Sequence, residues 1–343
     1  MAIVHLRTAA FSLAEPTRGQ LHPIELLTAS ATLAAEAAIG QGRQPEHVLC
    51  DDPAEADVIL FAESHNNDSG CGLFQEHVRR DCIYNRYAEK CYIHCGLDHF
   101  PAFLPGIYPS IPASRHDPRW TRGGGYLMPR TAYLTDYLER TPEPKRHLAS
   151  FIGSFGSHPV RQLLAPLHDG EDIFVEDRQK PYLQAHNAGN HAEVDRLKRD
   201  YIEVGWRSHF MLCPRGIGPA SLRPFDAMQL GIAPVVISDE WVRPEGPDWD
   251  RFSLQIPENR IKDLPAILAE RRADATEMGR IAQQQFDRFY ARHSIFQTVM
   301  QGVLAIHADR LPLAVGRRRA WLSLTRGDLR RGYFRHLRHK LAG

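Results

Sequence analysis

Apolar runs closed off by glycine or proline punctuate this chain. Residues 210–213 (FMLC) and 234–237 (PVVI) have no polar interruption, and residues 57–62 (DVILFA) add a third run after a single acid. Blocks of this kind read as strands of a parallel sheet, buried on both faces. Residues 47–50, 91–94, 147–153 and 173–175 read as further strands, and 256–257 as a strand end stopped by Pro257. Between them the period changes. Residues 22–40 are rich in Ala and Leu and end at Gly40, 191–203 make a helix with many exposed charges, and 261–296 place Leu264, Ile267, Leu268, Met278, Ile281, Phe286 and Phe289 along one continuous helix. Residues 81–92 fit a helix or a strand equally well. The segment 101–118 is irregular, because its five prolines remove backbone donors and constrain their predecessors. Gly123, Gly124 and Gly125 read as a plain loop, since no helix start clearly follows them.

Strands alternating with helices predict an α/β chain. Its 343 residues suit two domains, at a rough ~150 residues each. Residues 141–145 (TPEPK) are the best linker, which gives a first domain over 1–145, a second over 146–305 and a tail over 306–343. A net charge of +1 excludes bulk binding of nucleic acid by the whole molecule. No apolar run approaches the ~20 residues that span a bilayer, and the N-terminus lacks the basic start and apolar core of a signal peptide. Six cysteines, at 50, 71, 82, 91, 95 and 213, are too few and too irregular for a disulfide framework. Cys91, His94, Cys95 and His99 fit no strong zinc spacing, so the expectation is free thiols in a reducing cytoplasm and no metal. The tail, Arg317 through Gly343, carries eight arginines and one lysine against the single acid Asp328. Leu329, Tyr333, Leu337 and Leu341 recur every fourth residue, one face of a basic amphipathic helix. Such a helix either lies on an anionic membrane surface or packs back on the first domain.

Candidate chemistry concentrates in residues 209–241. A strand, a turn holding Gly216 and Gly218, a helix of about three turns from near Leu222 to Leu230, and the strand 234–237 make one βαβ unit. Ser221 is the expected N-cap, Pro224 suits a first turn, and Gly231 stands where a helix-ending glycine belongs. The helix start offers unpaired N–H groups and partial positive charge, Arg215 and Arg223 flank it, and Asp226 lies one turn on, within reach of a ligand hydroxyl. From spacing alone two readings stay open: an anion site, or an ordinary βαβ unit whose Arg223 and Asp226 form a solvated pair. Trp241 either stacks on a ligand or packs in the core.

The run CPRGIGPASLRPFDAMQLGIAPVVISDEW closely resembles the signature of exostosin-type glycosyltransferases: C-P-R-G, a Ser/Thr at the head of a helix, an acidic residue after Phe, then G-x-x-P-V-V-I-S-D-x-W. The resemblance continues weakly through 249–252 and 264–268, and back to 151–153. It implies an α/β GT-B fold, two Rossmann-like domains facing a central cleft. It also implies a nucleoside-diphosphate sugar as co-substrate, no further cofactor, and transfer with inversion and without a bound metal. The acceptor would be a glycan or a lipid-linked oligosaccharide. The cysteines point to the cytoplasm, and of the two readings of the tail, one lying on the inner membrane face would suit an acceptor carried on a lipid. Asp226 departs from the family's usual Glu.

On this reading Arg215 and Arg223 hold the donor diphosphate over the helix that Ser221 heads, with Gly218 in the turn below. Ser154, Ser157 and Arg161, in the first loop of the second domain, face the diphosphate too. Asp226 takes the ribose hydroxyls, and Ser238 and Asp239, with Glu240, lie at the next strand end. Inversion needs a base for the acceptor hydroxyl. Glu63, His65, Asp68, Asp98 and His99 are the candidates, with His65 favoured because an unperturbed imidazole titrates near working pH. The competing reading is a non-catalytic protein that binds sugar nucleotides or glycans on the same scaffold.

Overall fold

A computed structural model describes residues 1–8, 22–62, 73–96, 98, 101–127, 134, 137, 138, 140 and 144–325. The chain forms two compact units. One comprises residues 1–129, 242–246 and 289–343, the other 130–241 and 247–288. Each is built on a wholly parallel sheet with helices, so both Rossmann-like α/β domains are present.

Among the described residues the sheet of the first unit has six strands, in the order β2-β1-β3-β4-β5-β6. They are β1 (Ala2–Arg7), β2 (His47–Leu49), β3 (Val58–Ala62), β4 (Cys91–His94), β5 (Gly106–Ile107) and β6 (Thr121–Arg122). Every residue of β3 is buried, as its apolar run requires. β1 was not legible as a strand: AIVHLR mixes apolar and polar positions, and only Ala2 and Val4 are buried. Residues 81–92 resolve into a helix (Cys82–Tyr87), a short 3₁₀ turn and β4.

The boundary expected at residue 305 is displaced. Residues 261–296 are not one helix but a 3₁₀ segment (Glu258–Asp263) and the helices Leu264–Glu270 and Ala275–Phe289, followed by Ile295–Ala308. The turn between the last two returns the chain to the first unit: Ser294 N–H donates to Ala291 O, and Thr298 Oγ1 to Phe289 O. There Phe296 N–H donates to the buried Ser30 hydroxyl, and the Phe296 ring meets His47 edge-on. An apolar pattern that carries on through a short turn hides such a crossing.

The described part of the tail follows the packed reading. Helix Leu313–Ser323 lies on the first unit, where Phe103, Ala320 and Leu324 form one cluster and the Trp321 ring sits 5.0 Å from Phe103. Arg317 bonds Tyr84 Oη, and Arg319 bonds Asp117. The stripe Leu329, Tyr333, Leu337, Leu341 lies outside the described residues. Among those described, no helix is long and apolar enough to cross a membrane.

Among the described residues the sheet of the second unit has five strands, in the order β11-β10-β9-β7-β8. They are β7 (His147–Gly153), β8 (Ile173–Asp177), β9 (Ser208–Pro214), β10 (Ala233–Ile237) and β11 (Leu254–Ile256). β10 is buried throughout and pairs with β9 over five residues. Between them runs helix Arg223–Leu230, closed by Gly231 at φ 67°, a left-handed cap that glycine adopts without strain. Gly279 packs against that turn so closely that a Cβ would sit 2.1 Å from Gly231 O, which lets helix Ala275–Phe289 lie on it. Trp241 is buried, edge-on to Trp249 at 4.9 Å, so core packing is its role.

Candidate active site

In a parallel sheet all strands deliver their C-terminal ends to one edge, and the helices between them begin there. At that edge of the second unit β7 ends beside Ser154, β9 beside Arg215, β10 beside Ser238 and β11 just before Glu258. The sequence-predicted donor residues therefore collect on one rim.

Arg223 opens the helix after β9. Its Nη2 donates to Ile152 O at 2.8 Å, its Nη1 and its backbone N–H each reach Ser221 Oγ at 3.4 Å, and its guanidinium lies 4.6 Å from the centre of the Phe151 ring. A Cβ on Gly153 would fall 2.1 Å from Nη2, so glycine at the end of β7 is what admits this guanidinium. The expected cap moves by one residue. Leu222 is the N-cap, with no side-chain bond of its own, and the helix spans eight residues rather than three turns. Ser221, one step outside, serves the Arg223 side chain as much as the helix.

Arg161 does not stand ready for a ligand. Its Nε donates to Arg215 O at 2.8 Å, Nη1 to Ser154 O at 3.1 Å and Nη2 to Pro214 O at 3.3 Å, with the side chain buried. It ties the β7 loop to the β9 loop. Ser157 lies half-buried in the 3₁₀ turn Phe155–Ser157, and Gly218 is buried in the β9 turn.

Arg215 looks the other way, toward β11. Its Nη1 is 3.6 Å from Glu258 Oε1, an ion pair too long for a hydrogen bond. Glu258 is itself locked to the β10 loop: Asp239 N–H donates to its Oε1 at 3.2 Å, and Glu258 N–H donates to Asp239 Oδ1 at 3.0 Å. Asp239 is thus a loop fastener with an exposed surface, not a group aimed along the rim.

Asp226 accepts from Tyr201 Oη at 2.8 Å. Burial pushes its carboxyl up to about 6, against the opposing pull of the Tyr201 bond and the nearby Arg223 charge. Burial raises the Cys213 thiol at the end of β9 as well, so this cysteine is inert core. The solvated Arg223–Asp226 pair is excluded, since each group is engaged inward.

Four polar atoms on this rim are buried without a hydrogen-bond partner: Nε of Arg215, Nε of Arg223, Oγ of Ser154 and Oγ of Ser238. Buried side-chain atoms of this kind occur elsewhere among the described residues too, and what sets these four apart is their place at the strand-end edge, where water or a ligand can complete them. Two are cationic and two neutral, a set suited to an anion with several oxygens.

In the first unit Asp98 is half-buried, and its Oδ1 is buried without a hydrogen-bond partner. Glu63, His65, Asp68 and His99 lie outside the described residues. Cys91 and Cys95 belong to the core, and His94 Nε2 meets Gly125 O at 2.9 Å, with burial pulling its pKa down to about 4. Among the described residues no cluster of His, Cys, Asp and Glu is arranged to hold a metal. The loop Gly123 to Gly125 lines a cavity of about 210 Å³ together with Arg122, Glu245 and Thr298. Its glycines answer to packing: a Cβ on Gly124 would stand 2.3 Å from Ile107 Cγ2.

Tyr201 and Glu258 carry no sequence expectation as site residues, and Phe151 enters only through the resemblance at 151–153. Tyr201 is a lone aromatic in the charged part of helix His191–Trp206, and Glu258 directly follows Pro257 at a strand end. Those positions were the available signals.

The structural rim lies within the stretch that carries the sequence signature. Residues 127–270 match the family described as the Exostosin GT47 domain. Among curated proteins the chain is 28% identical over 188 residues to Exostosin-1 homolog of Caenorhabditis elegans, covering 50% of this chain and 47% of that protein. It is 29% identical over 205 residues to Exostosin-2 of Bos taurus (56% and 28%), and 32% identical over 174 residues to Exostosin-1a of Danio rerio (46% and 23%). The matched stretch is thus less than half the length of each of these relatives.

Proposed function

We propose that the chain is an inverting glycosyltransferase that moves a sugar from a nucleoside-diphosphate donor to a glycan or lipid-linked glycan, without a bound metal. The observation that supports this reading is that two arginines and two serines along one strand-end rim each hold a buried polar atom without a hydrogen-bond partner. When the sugar–phosphate bond breaks, negative charge develops on the leaving diphosphate. Fixed donors aimed at that charge stabilise it more in the transition state than in the ground state. Arg223 donates to a carbonyl and a hydroxyl and lies over an aromatic ring, so no carboxylate occupies its hydrogen-bonding edge. Asp226 presents its second oxygen to the ribose diol while Tyr201 holds the first. The acceptor proton passes to a base, for which His65 and Asp98 stand as candidates.

The test is a thermal-shift screen of nucleoside diphosphates and their sugars, followed by a turnover assay. A ligand present at 100 times its Kd raises stability by about 2.7 kcal/mol through mass action. One nucleoside diphosphate should raise Tm by several degrees while the nucleoside alone does little. No shift with any of them ends the proposal, and binding without turnover on any acceptor favours the non-catalytic reading.

Peripheral membrane contact remains part of the proposal, and it belongs to the residues beyond the packed helix Leu313–Ser323. Truncation after Thr325 should abolish flotation with anionic vesicles and leave donor binding unchanged. Equal flotation of the two proteins removes the membrane contact from the picture.

A further inference from the structure

The two arginines of the rim are balanced differently. Arg223 makes its hydrogen bonds and ring contacts with neutral groups, and the carboxylate its charge acts on, Asp226, is bonded to Tyr201 instead. Arg215 has a carboxylate 3.6 Å away, and that carboxylate does not depend on Arg215 for its position. The reciprocal bonds between Glu258 and Asp239, 3.2 and 3.0 Å, fasten it to the β10 loop. Both side chains of the ion pair are mostly shielded, with 16% of Arg215 and 23% of Glu258 exposed, so the pair is only partly screened by water.

A carboxylate fixed next to an anion-binding arginine has a definite consequence. It stays when the ligand arrives, it holds one edge of the guanidinium, and it repels a second negative charge. Resting on the diphosphate reading above, we propose that Glu258 is a positioning residue that tempers Arg215 and sets how readily the nucleoside diphosphate product leaves. During transfer the carbon–oxygen bond of the donor breaks and the electron pair goes to the diphosphate, so the product is more anionic than the donor. Glu258 opposes that product more than it opposes the donor.

Glu258→Gln tests this, because the amide oxygen can still accept from Asp239 N–H while the charge is gone. Calorimetric titration of wild type and variant with UDP, GDP and inorganic pyrophosphate should show about tenfold tighter binding to the variant, roughly the effect of removing one close like charge. Pyrophosphate should tighten by the same factor as the nucleotide that binds. With a productive donor, kcat should fall and product inhibition should strengthen. Glu258→Asp, which keeps the charge, should return Kd to within about twofold of wild type. Unchanged or weaker binding by Glu258→Gln, with Tm preserved, overturns the inference and leaves the diphosphate site standing. If wild type binds none of the three probes, the site reading falls and the inference with it. Should Glu258→Gln unfold, Glu258→Asp still decides: a loss of binding beyond tenfold assigns Glu258 to structure alone.

Discussion

Arg215→Ala is expected to lower kcat by about 10²- to 10³-fold, the usual effect of removing one donor from developing negative charge. The fold should survive. Arg215 contributes one long ion pair and no side-chain hydrogen bond that the structure records, and the buried cluster of the second unit does not include it. Its backbone, which does hold the site together, is untouched: Arg215 N–H donates to Ile237 O, and Arg215 O receives the Arg161 Nε–H. Part of the loss would be the uncompensated carboxylate of Glu258, now facing the diphosphate alone. Steady-state kinetics with a productive donor, alongside thermal melts, is the measurement. Full activity at an unchanged Tm would mean that the diphosphate does not sit at this rim. Arg223 is the less clean target, because its guanidinium also bonds Ile152 O and covers the Phe151 ring.

The contrast between these two residues shows what the sequence could and could not disclose. The signature stretch fixed β9, β10, the helix between them and Gly231 by patterns that act locally: apolar runs, a left-handed cap, proline in a first turn. It also put Arg215 and Arg223 on one rim, since a parallel sheet must deliver its strand ends to one edge. Which way each side chain turns depends on partners far along the chain. Arg223 turns to β7 because Gly153, 70 positions earlier, leaves room. Arg161, whose position after β7 suits a ligand contact, is an internal tie, because three carbonyls surround its guanidinium. The crossing near residue 290 was unreadable for a similar reason: helix Ile295–Ala308 continues the apolar pattern of its predecessor yet packs against helix Pro23–Gly40, at the other end of the chain.

Asp226→Asn should separate stability from binding, and in opposite directions. The Asp226 carboxyl has a pKa of about 6 in the folded protein against an ordinary value of 3.8, with burial as the leading cause. A group raised in this way favours the protonated fold. Its contribution to stability is complete below the ordinary value and is lost as pH climbs through about 6. At pH 8 the ionised carboxylate therefore weighs against the fold by at most about 3 kcal/mol, less where water reaches it. Asparagine has no charge to desolvate and keeps an oxygen for Tyr201 Oη–H. Urea melts at pH 4 and pH 8 should thus show variant and wild type close together in acid, with the variant the more stable by about 1–3 kcal/mol in base. Nucleotide affinity at pH 8 should move the other way, weaker by about tenfold, because a neutral amide is a poorer acceptor for a ribose diol than a carboxylate. A carboxylate kept ionised in a place that destabilises the fold is best explained by a ligand that needs it. If Asp226→Asn gains stability and binds nucleoside diphosphates as well as wild type, Asp226 is only the acceptor for Tyr201, and the ribose contact must be sought elsewhere on the rim.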